Sequence, residues 1–169
     1  MSATEDKLQE KLLDYIQDAH AMESNVLQML DSMIANTDDE VMLEMLTHHR
    51  EETERHEARL AARLDALGSD TSTRKQAQSV IGGAMKSMVD SVRGDKPGKN
   101  ARDGFMTEHV EIAAYELLER LALRAGDAET AEVARSNRAD EEAMAQKIAG
   151  SWDHVLDLTL ADAGVGTAR

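Results

Sequence analysis

The sequence predicts an all-α bundle made of two antiparallel helical hairpins, and three observations carry that prediction. The composition is a helix former's: aromatic residues make up 2% and proline occurs once, at Pro97, while Leu, Met, Ala, Glu and Arg abound, which argues against a β-sandwich or barrel. Apolar residues recur at spacings of three and four over long runs, the mark of amphipathic helices. These runs fall into two pairs, each pair split by a short turn and separated by a stretch of different texture. The 169 residues suit a single domain. With 41% hydrophobic and 31% charged residues, the chain has a globular rather than a disordered composition.

The first helix, over about 4–36, follows from Leu8, Leu12, Tyr15, Ile16, Ala19, Val26, Leu30 and Met33. Thr37 followed by Glu40 has the pattern of a capping box and opens a second helix over about 38–67, which Gly68 can end. From 69 to 100 the chain turns to Thr, Ser, Gly and Lys, with one modest helical stretch near 74–92 and then the breaker RGDKPGKN. A third main helix covers about 101–125. Gly126 ends it, and Asp127 caps a fourth that runs over about 127–149. A short C-terminal helix is expected at about 151–161. An antiparallel pair leaves the chain at the end where it entered, and a connecting helix of about 18 residues climbs roughly 27 Å. It can therefore carry the chain back along the bundle, which makes this a ferritin-like arrangement with one long crossover rather than a simple up-and-down bundle.

Composition also excludes whole classes of chemistry. With no cysteine there can be no disulfide, thiol catalysis, Fe–S cluster or Cys-ligated zinc, so any metal must be held by His, Asp or Glu. Nineteen Lys and Arg against 33 Asp and Glu give a net charge of −14. With no segregated basic patch, nucleic acid is not expected as a partner, and acidic polar faces argue against membrane-surface binding. The opening MSATEDKLQE lacks the basic-then-apolar design of an export signal, and no stretch approaches the ~18 apolar residues of a membrane span. A soluble, cytoplasmic protein is the expectation.

The informative residues are polar ones standing where the core should be. On the first helix the stripe 12, 16, 19, 23, 26, 30, 33 is apolar except for Glu23. On the second, 42, 45, 49, 52, 56, 60, 64, 67 places His49, Glu52 and His56 between Met42 and Met45 on one side and Leu60, Leu64 and Leu67 on the other. The third offers Glu108, Glu111 and Tyr115 before Leu118 and Ala122, and the fourth reads Val133, Asn137, Glu141, Met144, Ile148. Heights agree as well. Glu23 lies 13 residues before position 36 and Glu52 lies 16 after it, a mismatch of about 4.5 Å; Glu111 and Glu141 each stand 15 residues from Gly126. An offset of 88 carries Glu23 onto Glu111 and His20 onto Glu108, and one of 89 carries Glu52 onto Glu141, an echo consistent with duplicated hairpins.

Buried carboxylates at one height cost several kcal/mol each unless something compensates them. Two divalent cations bridged by Glu, with imidazole beside them, are a known solution in four-helix bundles. The reading places metal ligands at Glu23, His49, Glu52, Glu108, Glu111 and Glu141, with Glu23 and Glu52 on one ion and Glu111 and Glu141 on the other. His56 is left open between a ligand and an exposed neighbour of Glu52. His109 falls off the Glu108/Glu111 face, Tyr115 sits one turn from Glu111 where it can hydrogen-bond a ligand, and His20 is read as structural.

Several segments together resemble the YciF-like bacterial stress proteins of the ferritin-like superfamily: DAHAME at 18–23, HREET at 49–53 with Arg59-Leu60, EHVEIAAY at 108–115 and the Asp140-Glu141 pair. The resemblance spans roughly residues 5–160 and implies a dimeric ferritin-like bundle with a dinuclear iron site, of the kind named ferroxidase. The superfamily's Glu-x-x-His signature is not met, since Arg55 and Met144 stand where His would follow Glu52 and Glu141. The His49-x-x-Glu52 and Glu52/His56 spacings are the available substitutes. Between Asp140 and Glu141, the apolar stripe favours Glu141. The expected function is a homodimeric protein that binds two iron ions, or manganese in their place, and oxidises Fe(II) or consumes oxygen or peroxide in stress protection. The alternative is a non-catalytic helical stress or interaction protein that has kept the fold.

Overall fold

A computed structural model of the chain describes residues 3–69 and 96–166. Its five helices are α1 (Ala3–Ala35), α2 (Glu40–Ala66), α3 (Lys96–Ala125), α4 (Ala128–Ala149) and α5 (Trp152–Asp162), with no strand among the described residues. The fold is all-α, as the sequence predicts. The helical stretch expected near 74–92 lies outside the described residues.

Local chemistry sets the boundaries. The capping box expected at Thr37 is not used: Asp39 is the N-cap of α2 and accepts from Met42 N at 2.9 Å. The Thr37 hydroxyl instead donates to Met33 O at 2.7 Å, finishing the last turn of α1. Asp127 does cap α4, accepting from Thr130 N at 3.0 Å. Gly68 and Gly126 take positive φ, 72° and 74°, at the ends of α2 and α3, where a side chain would be strained. Helix α3 begins inside the expected breaker, because a proline in the first turn gives up an amide that has no intrahelical partner anyway, and Gly98 N is met by Thr159 Oγ1 of α5 at 3.0 Å.

Cross-helix contacts fix the directions. Gln9 Nε2 donates to Ala125 O at 3.1 Å, so α1 starts where α3 ends. His56 faces Asp140, Arg59 faces Asn137 and Arg63 faces Asp127, which runs α2 antiparallel to α4. Helices α2 and α3 therefore run in the same direction. The end of α2 and the start of α3 thus stand at opposite ends of the bundle, a helix length of about 40 Å for 27 residues apart, and the topology is that of a ferritin-like bundle. Helix α5 closes the end at which α1 turns into α2, with His154 Nε2 2.9 Å from Asp39 Oδ1.

The core is interrupted. Toward the Gly68/Gly126 end, Leu12, Ile16, Leu60, Leu64, Leu118 and Tyr115 pack with the small residues Ala19, Ala122, Ala131 and Ala134. Toward the other end are two smaller apolar groups, Met42, Ala101, Met144, Ile148 and Val155 in one, Val26, Met29, Leu30 and Leu46 in the other. Between these layers lies a band of buried Glu and His.

Asp127 ties the lower end together: besides capping α4 it accepts from Arg63 Nη2 through both carboxylate oxygens at 3.0 Å and from Thr130 Oγ1 at 2.6 Å. Asp127→Ala is expected to cost about 1–2 kcal/mol, lowering Tm by about 2–8 °C in a chain of this size. Asp127→Asn, which keeps a capping oxygen, loses less. A calorimetric melt of the three proteins checks the order.

Candidate metal centre

The buried band draws on all four long helices. Glu23 comes from α1, His49 and His56 from α2, Glu108 and Glu111 from α3 and Glu141 from α4; none is more than 2% exposed. Each is held inward because the residues a turn away on its own stripe are core: Ala19 and Val26 around Glu23, Leu60 beyond His56, Tyr115 and Leu118 beyond Glu111, Met144 beyond Glu141.

The six side chains form two groups whose potential ligand atoms lie within 4.8 Å of one another: His49, Glu108, Glu111 and Glu141 in one, Glu23, His56 and Glu141 in the other. Glu141 is common to both. His49 Nε2 lies 3.2 Å from Glu108 Oε1 and 3.7 Å from Glu141 Oε2, while His56 Nδ1 lies 2.8 Å from Glu141 Oε1 and 3.7 Å from Glu23 Oε1. Proximity does not satisfy these atoms. Both nitrogens of His49, His56 Nδ1, both oxygens of Glu111 and of Glu141, Glu23 Oε2 and Glu108 Oε2 are buried without a hydrogen-bond partner. Native interiors rarely leave such groups unpaired. Oxygen and imidazole donors without thiolate are the set that suits hard or borderline divalent ions, and four carboxylates with two imidazoles balance two such ions in charge.

The electrostatics show how strongly the site wants positive charge. Burial raises Glu111 well above the usual carboxylate range, with the carboxylates of Glu141, Glu23 and Glu108 adding to the shift. Burial pushes Glu108 up to about 7, against the lowering influence of His49. It raises Glu23 as well. For the imidazoles burial alone would lower the pKa, but the surrounding carboxylates outweigh it and raise His49 and His56 to about 10. Protons thus take the place that cations would fill.

Around this inner set stands a ring of partners. Each imidazole turns one nitrogen inward and has a carboxylate on the other: Asp140 Oδ2 is 3.0 Å from His56 Nε2, and Glu52 Oε2 is 3.6 Å from His49 Nδ1. Such outer contacts fix the tautomer and orientation of a ligating imidazole. Glu52, expected among the ligands, stands in neither group; its other oxygen is 3.1 Å from His48 Nε2, and Thr53 takes the fully buried position beside it, its hydroxyl donating to His49 O at 3.0 Å. Of the adjacent pair on α4, Glu141 is inside and Asp140 holds His56 from outside. Tyr115 is buried and donates to Glu23 Oε1 while accepting from Asn137 Nδ2 at 3.0 Å, and Asn137 Oδ1 accepts from Arg59 Nη1 at 2.8 Å.

The remaining histidines lie elsewhere. His109 is exposed, with Nδ1 2.8 Å from Phe105 O and its ring against Phe105. His20 sits 4.0 Å from Glu57, and His154 belongs to the cap of α2. Sequence reasoning left His56 undecided and gave Thr53, Arg59 and Asn137 no part. The signals available were the two-turn spacing of His49 and His56 and the lone Asn137 on an apolar stripe.

Comparison with known proteins agrees with this architecture. The family profile described as "Domain of unknown function (DUF892)" matches residues 7–161. Among solved structures, protein XCC3681 from Xanthomonas campestris pv. campestris superposes with a TM-score of 0.76 at 22% identity, over 94% of this chain and 99% of that one. YcfI from Rhodopseudomonas palustris gives 0.72 at 24% identity, over 88% and 96%. The E. coli stress protein YciF gives 0.69 at 17% identity, over 93% and 97%. At these identities the likeness is one of fold, and it extends along nearly the whole of each chain. With the family profile spanning the bundle from α1 to α5, the chain belongs to the DUF892 family of YciF-like helical proteins.

Proposed function

We propose that the band holds a dinuclear metal centre, with iron as the native metal and manganese as the substitute, and that the protein oxidises Fe(II) with oxygen or peroxide in stress protection. The observation that carries this is the set of orphaned Glu and His atoms converging from four helices, with Glu141 common to both groups and so the natural bridge. His49, Glu108 and Glu111 would hold one ion with Glu141, and Glu23 and His56 the other. Bound iron would supply one-electron chemistry, giving electrons to oxygen or peroxide. The protein's own part is to hold six donors in a dry layer, with Asp140 and Glu52 orienting the imidazoles and Tyr115 orienting Glu23. A homodimer accompanies this reading: Met106, Val110 and Leu117 lie on the outer face of α3, each at least half exposed. No described helix is long and apolar enough to cross a membrane.

A specific observation favours a second reading. Because His49 and His56 hold their protons up to about 10, the carboxylates have internal counter-charges without any metal, as a helical stress protein without turnover would need. Anaerobic Fe(II) titration followed by oxygen separates the two. About two irons per chain, oxidised rapidly with growth of near-UV ferric absorbance, are expected, and binding is lost in the Glu23→Ala/Glu111→Ala double variant. Full stoichiometry in that variant overturns the ligand assignment, and no binding to the native protein leaves the non-catalytic reading.

The protonation states give an independent check. A group whose pKa is raised by folding stabilises fully below its unfolded value and loses that contribution as pH rises through the folded value. Glu108 moves from 4.5 to about 7 and the two imidazoles from 6.5 to about 10, so all act in one direction. Metal-free protein is expected to melt at progressively lower temperature between about pH 5 and 9. Mn(II), which requires the same groups deprotonated, releases protons on binding and flattens the decline; a melting series with EDTA or Mn(II) reads both, and a rising Tm in EDTA would contradict the assignment. Asp140→Ala leaves His56 unheld and is expected to weaken metal binding about 10–100-fold, with the helical circular dichroism spectrum unchanged.

A further inference from the structure

The end of the bundle beyond the metal band, covered by α5, is not filled. A cavity of about 290 Å³ lies between the α1–α2 turn, the start of α3, the end of α4 and α5. That is room for about ten waters at ~30 Å³ each and falls at the low end of small-molecule sites. Its walls are apolar and dominated by five methionines, Met29, Met33, Met42, Met45 and Met144, from α1, α2 and α4. Unbranched thioethers re-pack around chains of different shape, as at other adaptable binding surfaces.

The polar groups of the lining are distributed to a purpose. Glu108, 2% exposed and with Oε2 lacking a partner, stands at the inner end, where the cavity meets the metal band. The lining also includes Asn100, whose Oδ1 is likewise buried without a partner. Both orphaned atoms can accept a hydrogen bond, and eight residues of α3 set them about 12 Å apart along the helix. The outer end carries Asp38 and Asp162, both exposed, and Asp39, and among the described residues no Lys, Arg or His lines the cavity. A fatty acid or phosphate would meet carboxylates at either end with no cation among the described lining residues to receive it, while a head group that donates hydrogen bonds meets a waiting acceptor at the inner end.

We propose that this cavity binds a small aliphatic molecule with an uncharged or cationic, hydrogen-bond-donating head, an alkanol or alkylamine, its chain against the methionines and its head toward Glu108. The inference goes beyond the metal reading and shares only Glu108 with it, since the other walls lie outside the metal band. Occupancy would place an organic head group beside a residue of the centre, giving the protein an organic ligand in addition to metal and oxidant.

The test is calorimetric titration of the full chain with 1-octanol, n-octylamine and octanoate, first after chelation and then loaded with Mn(II). Octanol and octylamine are expected to saturate at one per chain and octanoate to bind at least 10-fold more weakly. Met45→Trp, which fills the cavity from a partly exposed position, is expected to weaken octanol more than 10-fold while leaving Mn(II) binding unchanged. Should that variant not fold, methyl-labelled methionine NMR of the native protein decides: octanol is expected to move the five cavity methionines and not Met22 in the lower core or Met106 on the outer face of α3. Equal binding of octanoate, shifts centred on Met106, or no saturation up to the solubility of octanol overturns the proposal. Protein that takes Mn(II) but no octanol refutes this inference and spares the metal centre; protein that takes octanol but no Mn(II) does the reverse.

Discussion

Placing four carboxylates and two imidazoles in the dry middle of a four-helix bundle is the constraint from which the rest of the structure follows. Unpaired, each such charge would cost several kcal/mol, and among the described residues no lysine or arginine pairs with Glu23, Glu108, Glu111 or Glu141. The compensation has to come from protons or cations held by the same groups. The neighbouring carboxylates raise the imidazoles to about 10 and burial raises Glu108 to about 7, so protons are held there, and divalent ions would compensate the same charge. The band can exist only because the layers on either side hold the helices together without it. The lower layer is dense, with Leu12, Ile16, Leu60 and Leu64 closing against alanines.

The donor inventory is that of ferritin-like dimetal bundles, four Glu and two His, but its distribution differs. Those bundles place a Glu-x-x-His on each of two helices. Here both imidazoles come from α2, two turns apart, and the paired spacing on α3 is Glu108-x-x-Glu111. The missing signature is therefore a redistribution of donors around the bundle rather than a loss of them. Each imidazole has one nitrogen among carboxylates inside and the other against a carboxylate at the rim, and Tyr115, Asn137 and Arg59 hold Glu23 in the same way from its own side.

The two ends of the bundle are unlike. Below the band, leucines, small residues and one tyrosine pack fully buried, and Asp127 ties the α3–α4 turn to α2 through Arg63. Above it, methionines replace leucines, the apolar layer divides into two groups, and a cavity opens between them. A core of flexible thioethers specifies a shape less firmly than one of branched side chains. The structure thus places its adaptable region directly against Glu108.

The helical class, the two hairpins, the need for a long return and the height of the polar band were all legible in the sequence, because each is a matter of period and counting along one chain. The stripes of α1, α3 and α4 read correctly for the same reason. Helix α2 was harder. The stripe through 45 and 52 and the observed face through 46 and 53 differ only in the order of three- and four-residue steps, and either puts His49 and His56 inward. Only packing against α1 and α4 decides between them, and it buries Thr53 and sets Glu52 at the rim beside His49. Likewise the capping-box pattern points to Thr37, whereas the folded chain caps α2 with Asp39, and the approach of α5 with His154 accompanies that choice. Residue types and their spacing determined which chemistry this chain can hold. Which of those residues share one cluster, which hold them from outside and where a cavity remains depend on the rotation of each helix against its neighbours, and that is a property of the assembled bundle alone.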